Sequence, residues 1–185
     1  MRKLLVFNSV TVDGYFTDEN NDMSWAHRQN DSEWSEFTAE NAKSGGELLY
    51  GRVTYELMAS FWPTPAAASA FPEVAEQINK APKVVFSRSM EKADWNNTRV
   101  VKGDLAEEVK KLKEEPGDHL VLMGSGKIIS QIAPKGLVDE YQLVVNPIVL
   151  GKGRTMFEGI EDKLNLTLTS TRAFKNGNVL LSYKS

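Results

Sequence analysis

The stretch LVLMGSGKIISQ, residues 120–131, places two glycines and a serine directly after an apolar run. The apolar run predicts a strand, and the residues after Gly126 predict the first turn of a helix. A turn at such a junction presents main-chain N–H groups at a helix amino terminus, where the helix dipole favours an anion. The stretch therefore indicates a phosphate site, although an ordinary glycine turn has the same composition.

Two nucleotide-binding motifs are excluded at this stretch. A Walker A loop needs a glycine where Val121 stands and a magnesium-binding hydroxyl where Ile128 stands. A Rossmann fingerprint needs a third glycine where Ser130 stands, and it belongs to a first strand rather than to a late one. An ATP-binding P-loop is therefore rejected, while a more general phosphate site is retained.

A second junction of the same kind lies in LLYGRVTYELM, residues 48–58. Gly51 follows an apolar run, and the predicted helix then begins with Arg52 and Thr54 in its first turn. A guanidinium and a hydroxyl at a helix start are suitable donors for a phosphate. The alternative is a surface arginine beside a plain helix start.

A third junction is KVVFSRS, residues 83–89, where a short strand ends at Ser87 and Arg88. Hydroxyls and a guanidinium at this point suit a second phosphate group. Three strand ends of this type predict a dinucleotide that lies across one edge of a sheet.

Asp31, in NDSEWSEF, is the candidate acid for protonating a ring nitrogen, with Glu33 and Glu36 as less favoured alternatives. The competing interpretation is that Asn30-Asp31-Ser32 is an N-cap signal and Asp31 only caps a helix. Flat aromatic rings close to Asp31 are candidates for a heterocycle pocket or for ordinary core: Trp25, Trp34, Phe37, Phe61 and Trp62. His27 lies near the predicted mouth of that pocket.

The bulk composition predicts one ordinary cytoplasmic domain spanning residues 1–185. The 22 basic and 25 acidic residues give no general attraction to nucleic acid or to an anionic membrane. Cysteine is absent, which excludes disulfides and cysteine-ligated metals. No metal site is predicted.

Strands and helices alternate along most of the chain, with predicted helices from Ser32 to Gly45-Gly46 and after Gly51, Pro72 and Asp104. Residues 63–70 are predicted as a loop. The last third changes to β-branched segments at 138–150, 164–174 and 179–183, with a hairpin turn at 175–178. This order predicts a three-layer α/β domain with a mixed sheet.

The sequence resembles the dihydrofolate reductase superfamily, and most closely the reductase domain of bacterial riboflavin-biosynthesis deaminase–reductases. The matching segments occur in the family's order over essentially the whole chain: 9–14 (SVTVDG), 23–25 (MSW), 51–54 (GRVT), 87–89 (SRS), 123–128 (MGSGKI) and 136–157 (GLVDEYQLVVNPIVLGKGRTMF). Where folate reductases place two glycines joined by a cis peptide, Ser125 follows Gly124. A cis bond there would cost ~3 kcal/mol.

The resemblance implies a dihydrofolate reductase-like three-layer α/β/α fold with a mostly parallel central sheet and antiparallel carboxyl-terminal strands. It implies NADPH as the cofactor, with Ser87 and Arg88 at its 2′-phosphate. The other implied cofactor-binding residues are Gly51, Arg52, Thr54, Gly124, Ser125, Gly126, Lys127 and Ile128. Those implied around the substrate are Val10, Trp25, Asp31 and Trp34.

The function favoured at this stage is an NADPH-dependent reductase of a small pterin-like or pyrimidine-like heterocycle. A true dihydrofolate reductase is less favoured, because Met23-Ser24-Trp25 replaces the usual Met-Pro-Trp. The alternative class is a non-catalytic nucleotide-binding module. Only Lys152 and Arg154 offer a basic site for a substrate phosphate, and the resemblance implies a homodimer.

Overall fold

A computed structural model describes residues 1–27 and 31–185, except for the side chain of His27. Asn30 and the imidazole of His27, both named from the sequence, therefore lie outside the described part. One eight-stranded sheet forms the centre of the domain, in the order β5-β4-β3-β6-β1-β7-β10-β9. Its strands are β1 Leu4–Thr11, β3 Glu47–Gly51, β4 Lys83–Phe86, β5 Thr98–Val101, β6 Leu120–Met123, β7 Glu140–Asn146, β9 Thr167–Ala173 and β10 Val179–Lys184.

The sheet is mixed but mostly parallel, which confirms the predicted fold class. The first six strands in the order, β5 to β7, are parallel to one another, whereas β10 runs antiparallel to both β7 and β9. A separate two-stranded ribbon, β2 Tyr15–Thr17 with β8 Arg154–Thr155, was not predicted. It joins the loop after β1 to the segment after β7.

Within the described residues, six α-helices cover the two faces of the sheet. They are α1 Ser32–Lys43, α2 Arg52–Phe61, α3 Pro65–Ala70, α4 Pro72–Lys80, α5 Leu105–Glu114 and α6 Gly126–Ile132. Short 3-10 turns occur at Ser24–His27 and Ala133–Lys135.

The alternation of side chains along each strand assigns the helices to two layers. Leu4, Val6 and Leu122 are fully buried against residues of α5 and α6, in the first core. The intervening side chains of β3, β4 and β6 face the opposite way and pack with α2, α3 and α4 in a second core. Helix α1 contributes Trp34 to a third cluster, over β7 and β10.

The prediction of a loop at residues 63–70 is wrong, because α3 occupies 65–70. Thr64 caps this helix by accepting a hydrogen bond from the Ala67 N–H at 3.3 Å, and Pro65 stands in its first turn. Four of the six residues are alanine, the best helix former, and fully buried Ala67 holds the helix on the second core. Proline ended the preceding helix, as predicted, but it also started this one.

Among residues 1–27 and 31–185, the helices are all too short or too polar to cross a bilayer.

Candidate functional site

The three predicted phosphate-binding segments follow neighbouring strands at the same edge of the sheet. Strands β4, β3 and β6 are adjacent and parallel, with Gly51 beside Phe86 and Leu49 beside Leu122. Their carboxyl ends therefore stand in one row, about 5 Å apart from strand to strand. The structure brings together the turns that carry Arg52, Arg88 and Gly124.

The hydroxyl of Ser125 joins two of these turns directly. Its Oγ accepts the N–H of Gly51 at 2.8 Å and lies 3.0 Å from the carbonyl oxygen of Met123 and 3.2 Å from Thr54 Oγ1. The Ser125 N–H donates to Thr54 Oγ1 at 3.1 Å. The Ser125 and Thr54 hydroxyls, expected to bind the cofactor, thus hold the starts of α2 and α6 against each other.

Asn8 is a site residue that the sequence did not reveal. Its side chain, 3% exposed, accepts the N–H of Gly124 at 2.5 Å and donates to the carbonyl of the same residue at 3.2 Å. The amide also donates to the sulfur of Met156 at 2.9 Å. One buried amide therefore fixes the turn to β1 and to the segment that follows β8.

The turn itself has a backbone that suits glycine at its first position. Gly124 has φ of 59°, and a Cβ there would lie 2.8 Å from the Thr54 side chain. Ser125 also has a left-handed backbone, with φ of 60°, and the peptide between the two residues is trans. Ser125 tolerates this conformation because its hydrogen bonds over-determine it.

Helices α2 and α6 both begin in this turn region, and no side chain caps the N-terminus of either one. The first N–H groups of a helix lack partners within the helix, so they are donors for an anion. The two helix starts lie side by side, because Gly51 and Ser125 are hydrogen-bonded. The predicted phosphate chemistry is therefore available from main-chain N–H groups at this edge.

The side chains predicted to bind the cofactor differ in what they can reach. The exposed guanidinium of Arg52 forms an i,i+4 pair with both oxygens of Glu56, each at 2.9 Å. Such exposed pairs contribute only about 0.5 kcal/mol, so a phosphate can compete for the guanidinium. Lys127 is exposed on the first turn of α6, whereas the side chain of Ile128 is buried in the first core and leaves only its main chain for a ligand.

Ser87 and Arg88 follow β4 in an exposed turn. Ser87 Oγ accepts the N–H of Met90 at 3.1 Å, which shapes this turn. The pKa of Asp104 is lowered, first by the N–H of Glu107 and to a smaller extent by the charges of Lys135 and Arg88. Arg88 therefore lies at the border between the β4 end and the start of α5.

A cavity of about 1090 Å³ opens beside Gly124, on the face of the sheet covered by α1, α2 and α4. Its floor is formed by side chains of the central strands, including Phe7, Ser9 and Met123. Helix α1 contributes Trp34 and Thr38 to one side. Helix α2 and the residue that follows it form an apolar wall opposite, with Leu57, Met58, Phe61 and Trp62.

Asp31 takes the helix-capping role that was the alternative to catalysis. Its Oδ1 accepts the N–H of Trp34 at 2.8 Å, and the residue does not line the cavity. Glu33 is directed to the carboxyl-terminal hairpin, where it accepts the N–H of Lys175 at 3.2 Å. Glu36 is exposed.

The predicted aromatic pocket is only partly formed. Trp34, Phe61 and Trp62 line the cavity, whereas Phe37 packs against Trp34 and Phe174. Trp25 is buried without lining the cavity, and its Nε1 has no hydrogen-bond partner within the described part of the chain. The other named substrate residue, Val10, is directed into the first core on the opposite face, so its side chain cannot reach the cavity.

The segment 147–153 is fixed next to the site by Asp13. The carboxylate accepts the Thr11 hydroxyl at 2.6 Å and the N–H of Gly151 at 2.7 Å. The Thr11 hydrogen bond, and after it the N–H groups of Gly151 and Leu150, lower the pKa of Asp13. Arg154 donates to Asn21 at 2.8 Å, while Lys152 is exposed.

Comparison with known proteins agrees with this architecture. The RibD C-terminal domain family matches residues 2–180. The uncharacterised protein YyaP of Bacillus subtilis (strain 168) is 30% identical over 182 residues, covering 98% of this chain and 94% of that protein.

Two solved structures share the fold at low sequence identity. A Shewanella sp. PV-4 protein assigned to riboflavin biosynthesis has a TM-score of 0.74 at 21% identity, covering 98% of both chains. A Thermotoga maritima diaminohydroxyphosphoribosylaminopyrimidine deaminase/5-amino-6-(5-phosphoribosylamino)uracil reductase has a TM-score of 0.67 at 16% identity. It covers 99% of this chain and 56% of that one. The resemblance inferred from the sequence is confirmed, and the chain belongs to the RibD C-terminal domain family, with its dihydrofolate reductase-like fold.

Proposed function

We propose that the protein is an NADPH-dependent reductase of a nitrogen heterocycle with a pterin-like or pyrimidine-like ring. One observation carries the proposal: the ends of β4, β3 and β6 stand in a row beside two uncapped helix starts. Membership of the RibD C-terminal domain family, which has a uracil reductase among its structural relatives, supports an oxidoreductase.

The residues at this edge fit a nucleotide with several phosphates. In this proposal the N–H groups at the starts of α2 and α6 bind the pyrophosphate, and Arg52 exchanges Glu56 for a phosphate oxygen. Ser87 and Arg88, at the adjacent strand end, bind the 2′-phosphate. Glycine is required at Gly124 because any side chain there would strike Thr54.

The cavity beside Gly124 receives the ring to be reduced. When bound, the coenzyme supplies the hydride, and the chain supplies position and a route for the proton. Phe7, Met123 and Leu57 exclude water from the reacting face, and Trp34 offers a flat surface for a ring. Asp31, the proton donor expected from the sequence, caps α1 and does not line this cavity, so the proposal assigns it no proton transfer.

A second candidate function is a non-catalytic module that binds the nucleotide. The observation that favours it is that Asp31, the favoured candidate for proton transfer, caps α1, while Glu33 accepts the N–H of Lys175 and Glu36 is exposed.

The experiment is a fluorescence titration with NADPH and NADH, followed by NADPH oxidation assays with dihydrofolate, the riboflavin-pathway pyrimidine and simple pteridines. Wild-type protein should bind NADPH more tightly than NADH, and Arg88→Ala should reduce that preference at least tenfold. Lys163→Ala, which also removes one positive charge but at an exposed position away from the three strand ends, is the control. Binding without any turnover would favour the module, and absence of binding would refute both candidates.

We also propose that the protein is a homodimer that pairs through β9. This strand is the outer edge of the sheet, and all seven of its residues are exposed. A β-branched strand with a free edge is a template for pairing with another chain. No nucleic acid or membrane is part of this proposal.

A further inference from the structure

The central strands of the sheet are packed on one face and open on the other. In β1, Leu4 and Val6 are 0% exposed on the face covered by α5 and α6. Leu5 and Phe7, the intervening residues of the same strand, are only partly buried although helices lie above them. Strand β6 repeats this difference between fully buried Leu122 and partly buried Met123. Strands at the centre of a sheet are normally the most buried. The incomplete packing over Leu5, Phe7 and Met123, called the opening below, is therefore a specific feature of this fold.

Helix α1 crosses over the opening and is supported near its two ends. Its first half is held by Trp34 and Phe37, which pack on Phe174 beyond β7. Its last turn is held from the other side by the ion pair of Lys43 with Glu73 of α4. The residues of α1 that line the cavity between these supports are small, among them Ala39 and Ala42.

The cavity runs beneath helix α1 from one edge of the sheet to the other. At the carboxyl edge it is lined by Ser9 and Gly124, and at the amino edge by Gly46 and His119. The four-residue step along β1 from Ser9 to Leu5 corresponds to about 13 Å. A volume of about 1090 Å³ slightly exceeds the usual range for sites that hold drug-sized ligands, and a single heterocycle fills a small part of it.

The lining changes chemically along this path. Leu5, Val121 and Leu48 make an apolar floor beyond Phe7, and Val74 of α4 adds to the wall. The far mouth is polar, and there Arg2 pairs with Glu47 at 2.8 Å with both side chains more than nine-tenths buried. Glu47 also pairs with Arg99 at 3.1 Å, and Arg99 pairs with Glu115 at 2.7 Å, so the two guanidinium groups and two carboxylates of this network balance each other's charge.

We infer that the substrate is an elongated molecule, in which the reduced ring carries an apolar extension that lies beneath α1. The inference rests on the proposed function only in placing the ring beside Gly124. It predicts that affinity grows with the length of an alkyl chain on one ring, by up to about fourfold for each methylene that is buried.

The test uses 6-alkyl-7,8-dihydropterins with methyl, butyl and octyl chains, and measures their dissociation constants by calorimetry in the presence and absence of NADPH. Wild-type protein should bind the octyl compound at least a hundredfold more tightly than the methyl compound. Ala42→Phe on α1, or Val74→Phe on the facing helix, should reduce that ratio to below tenfold. Ala68→Phe is the same change at an exposed position of α3 and should keep the wild-type ratio.

The outcomes separate the two proposals. Equal affinities along the series, or an unchanged ratio in folded Ala42→Phe and Val74→Phe proteins, would overturn the elongated substrate. Chain-dependent binding with no NADPH oxidation for any member would keep the cavity inference and count against the reductase. Circular dichroism establishes that each variant is folded, and the second blocking position remains if the first variant fails to fold.

Discussion

Asn8 hydrogen-bonds both main-chain polar groups of Gly124, although 116 residues separate the two positions. The N–H of Gly124 donates to Oδ1 at 2.5 Å, and Nδ2 donates to the carbonyl at 3.2 Å. The turn that begins α6 is therefore held by the first strand of the chain.

Replacing Asn8 should release this turn. Asn8→Ala leaves two buried main-chain groups unsatisfied, and we expect a loss of about 1–3 kcal/mol in the free energy of unfolding. NADPH should bind at least tenfold more weakly, measured by fluorescence titration below the unfolding transition. Asn8→Asp keeps the acceptor for the Gly124 N–H but loses the donor, so an affinity equal to that of Asn8→Ala would contradict this account.

Ser125→Ala should separate the starts of α2 and α6. The N–H of Gly51 loses its acceptor, so we expect urea unfolding to show a loss of about 1–2 kcal/mol together with weaker NADPH binding. Ser130→Ala is the control, because that hydroxyl bonds only the Lys127 carbonyl of its own helix. Equal effects of the two substitutions would argue against a link between the turns.

Asp31 provides a clear test of capping against proton transfer. Asparagine caps helices as well as aspartate, so Asp31→Asn should preserve stability, whereas Asp31→Ala should cost about 1 kcal/mol. Since the carboxylate caps α1 outside the cavity, we expect Asp31→Asn to retain turnover of any active substrate. A loss of kcat of about a hundredfold or more in the folded variant would restore the acid role.

Lys83 should make stability depend on alkaline pH. Burial lowers its pKa from 10.5 to about 8, and its ammonium contacts the carbonyls of Asn79, Ala81 and Asn96. Between these two pKa values the unfolded chain holds more protons, so the free energy of unfolding rises as pH increases through this window. The rise amounts to up to about 3 kcal/mol.

Lys83→Met should abolish that rise, measured by urea unfolding at several pH values from 7.5 to 10.5. Lys92→Met makes the same change at an exposed position and should leave the wild-type profile. If the profiles of wild type and Lys83→Met run parallel, the proposed titration of Lys83 is refuted.

The proposed dimer contact through β9 can be tested by introducing a charged residue on that strand. Leu168 is 52% exposed on β9, and Leu168→Lys puts a charged side chain on the paired edge strand of each copy, so the dimer should dissociate. Light scattering measures the mass, and Val53→Lys on α2 is the control, because it makes the same kind of change at an equally exposed apolar residue outside β9. A monomeric wild-type protein would remove this proposal.

The sequence predicted those parts of the fold that depend on local signals. Alternating strands, the Asp104 cap and the Asn176-Gly177 hairpin all depend on neighbours in the chain, and all are present. Residues 65–70 were missed because proline and alanine indicate a loop and a helix start equally well. The ribbon of β2 with β8 was missed because its strands are three and two residues long.

The candidate site was predictable at its strand ends and not in its connections. Glycines, hydroxyls and arginines after apolar runs indicated which strand ends lie side by side, because neighbouring parallel strands end at the same edge of a sheet. The hydrogen-bond partners of Asn8 and Ser125 depend on which strands are neighbours in the sheet. The order of the strands cannot be predicted from the local sequence of any one segment. The cavity depends on where α1 is supported, and one of its supports is the contact of Trp34 with Phe174, a residue more than a hundred positions away.

The two faces of β1 and β6 have different roles: the fully buried face stabilises the fold, and the partly buried face lines the cavity. Truncating Leu4 or Leu122 removes tightly packed contacts and should cost about 2–5 kcal/mol, which few domains tolerate. Exchanging Leu5 or Met123 mainly reshapes an open space. Substitutions at cavity-lining positions such as Leu5 and Met123 can therefore change which ligands bind, while Leu4 and Leu122 on the opposite face keep the domain folded.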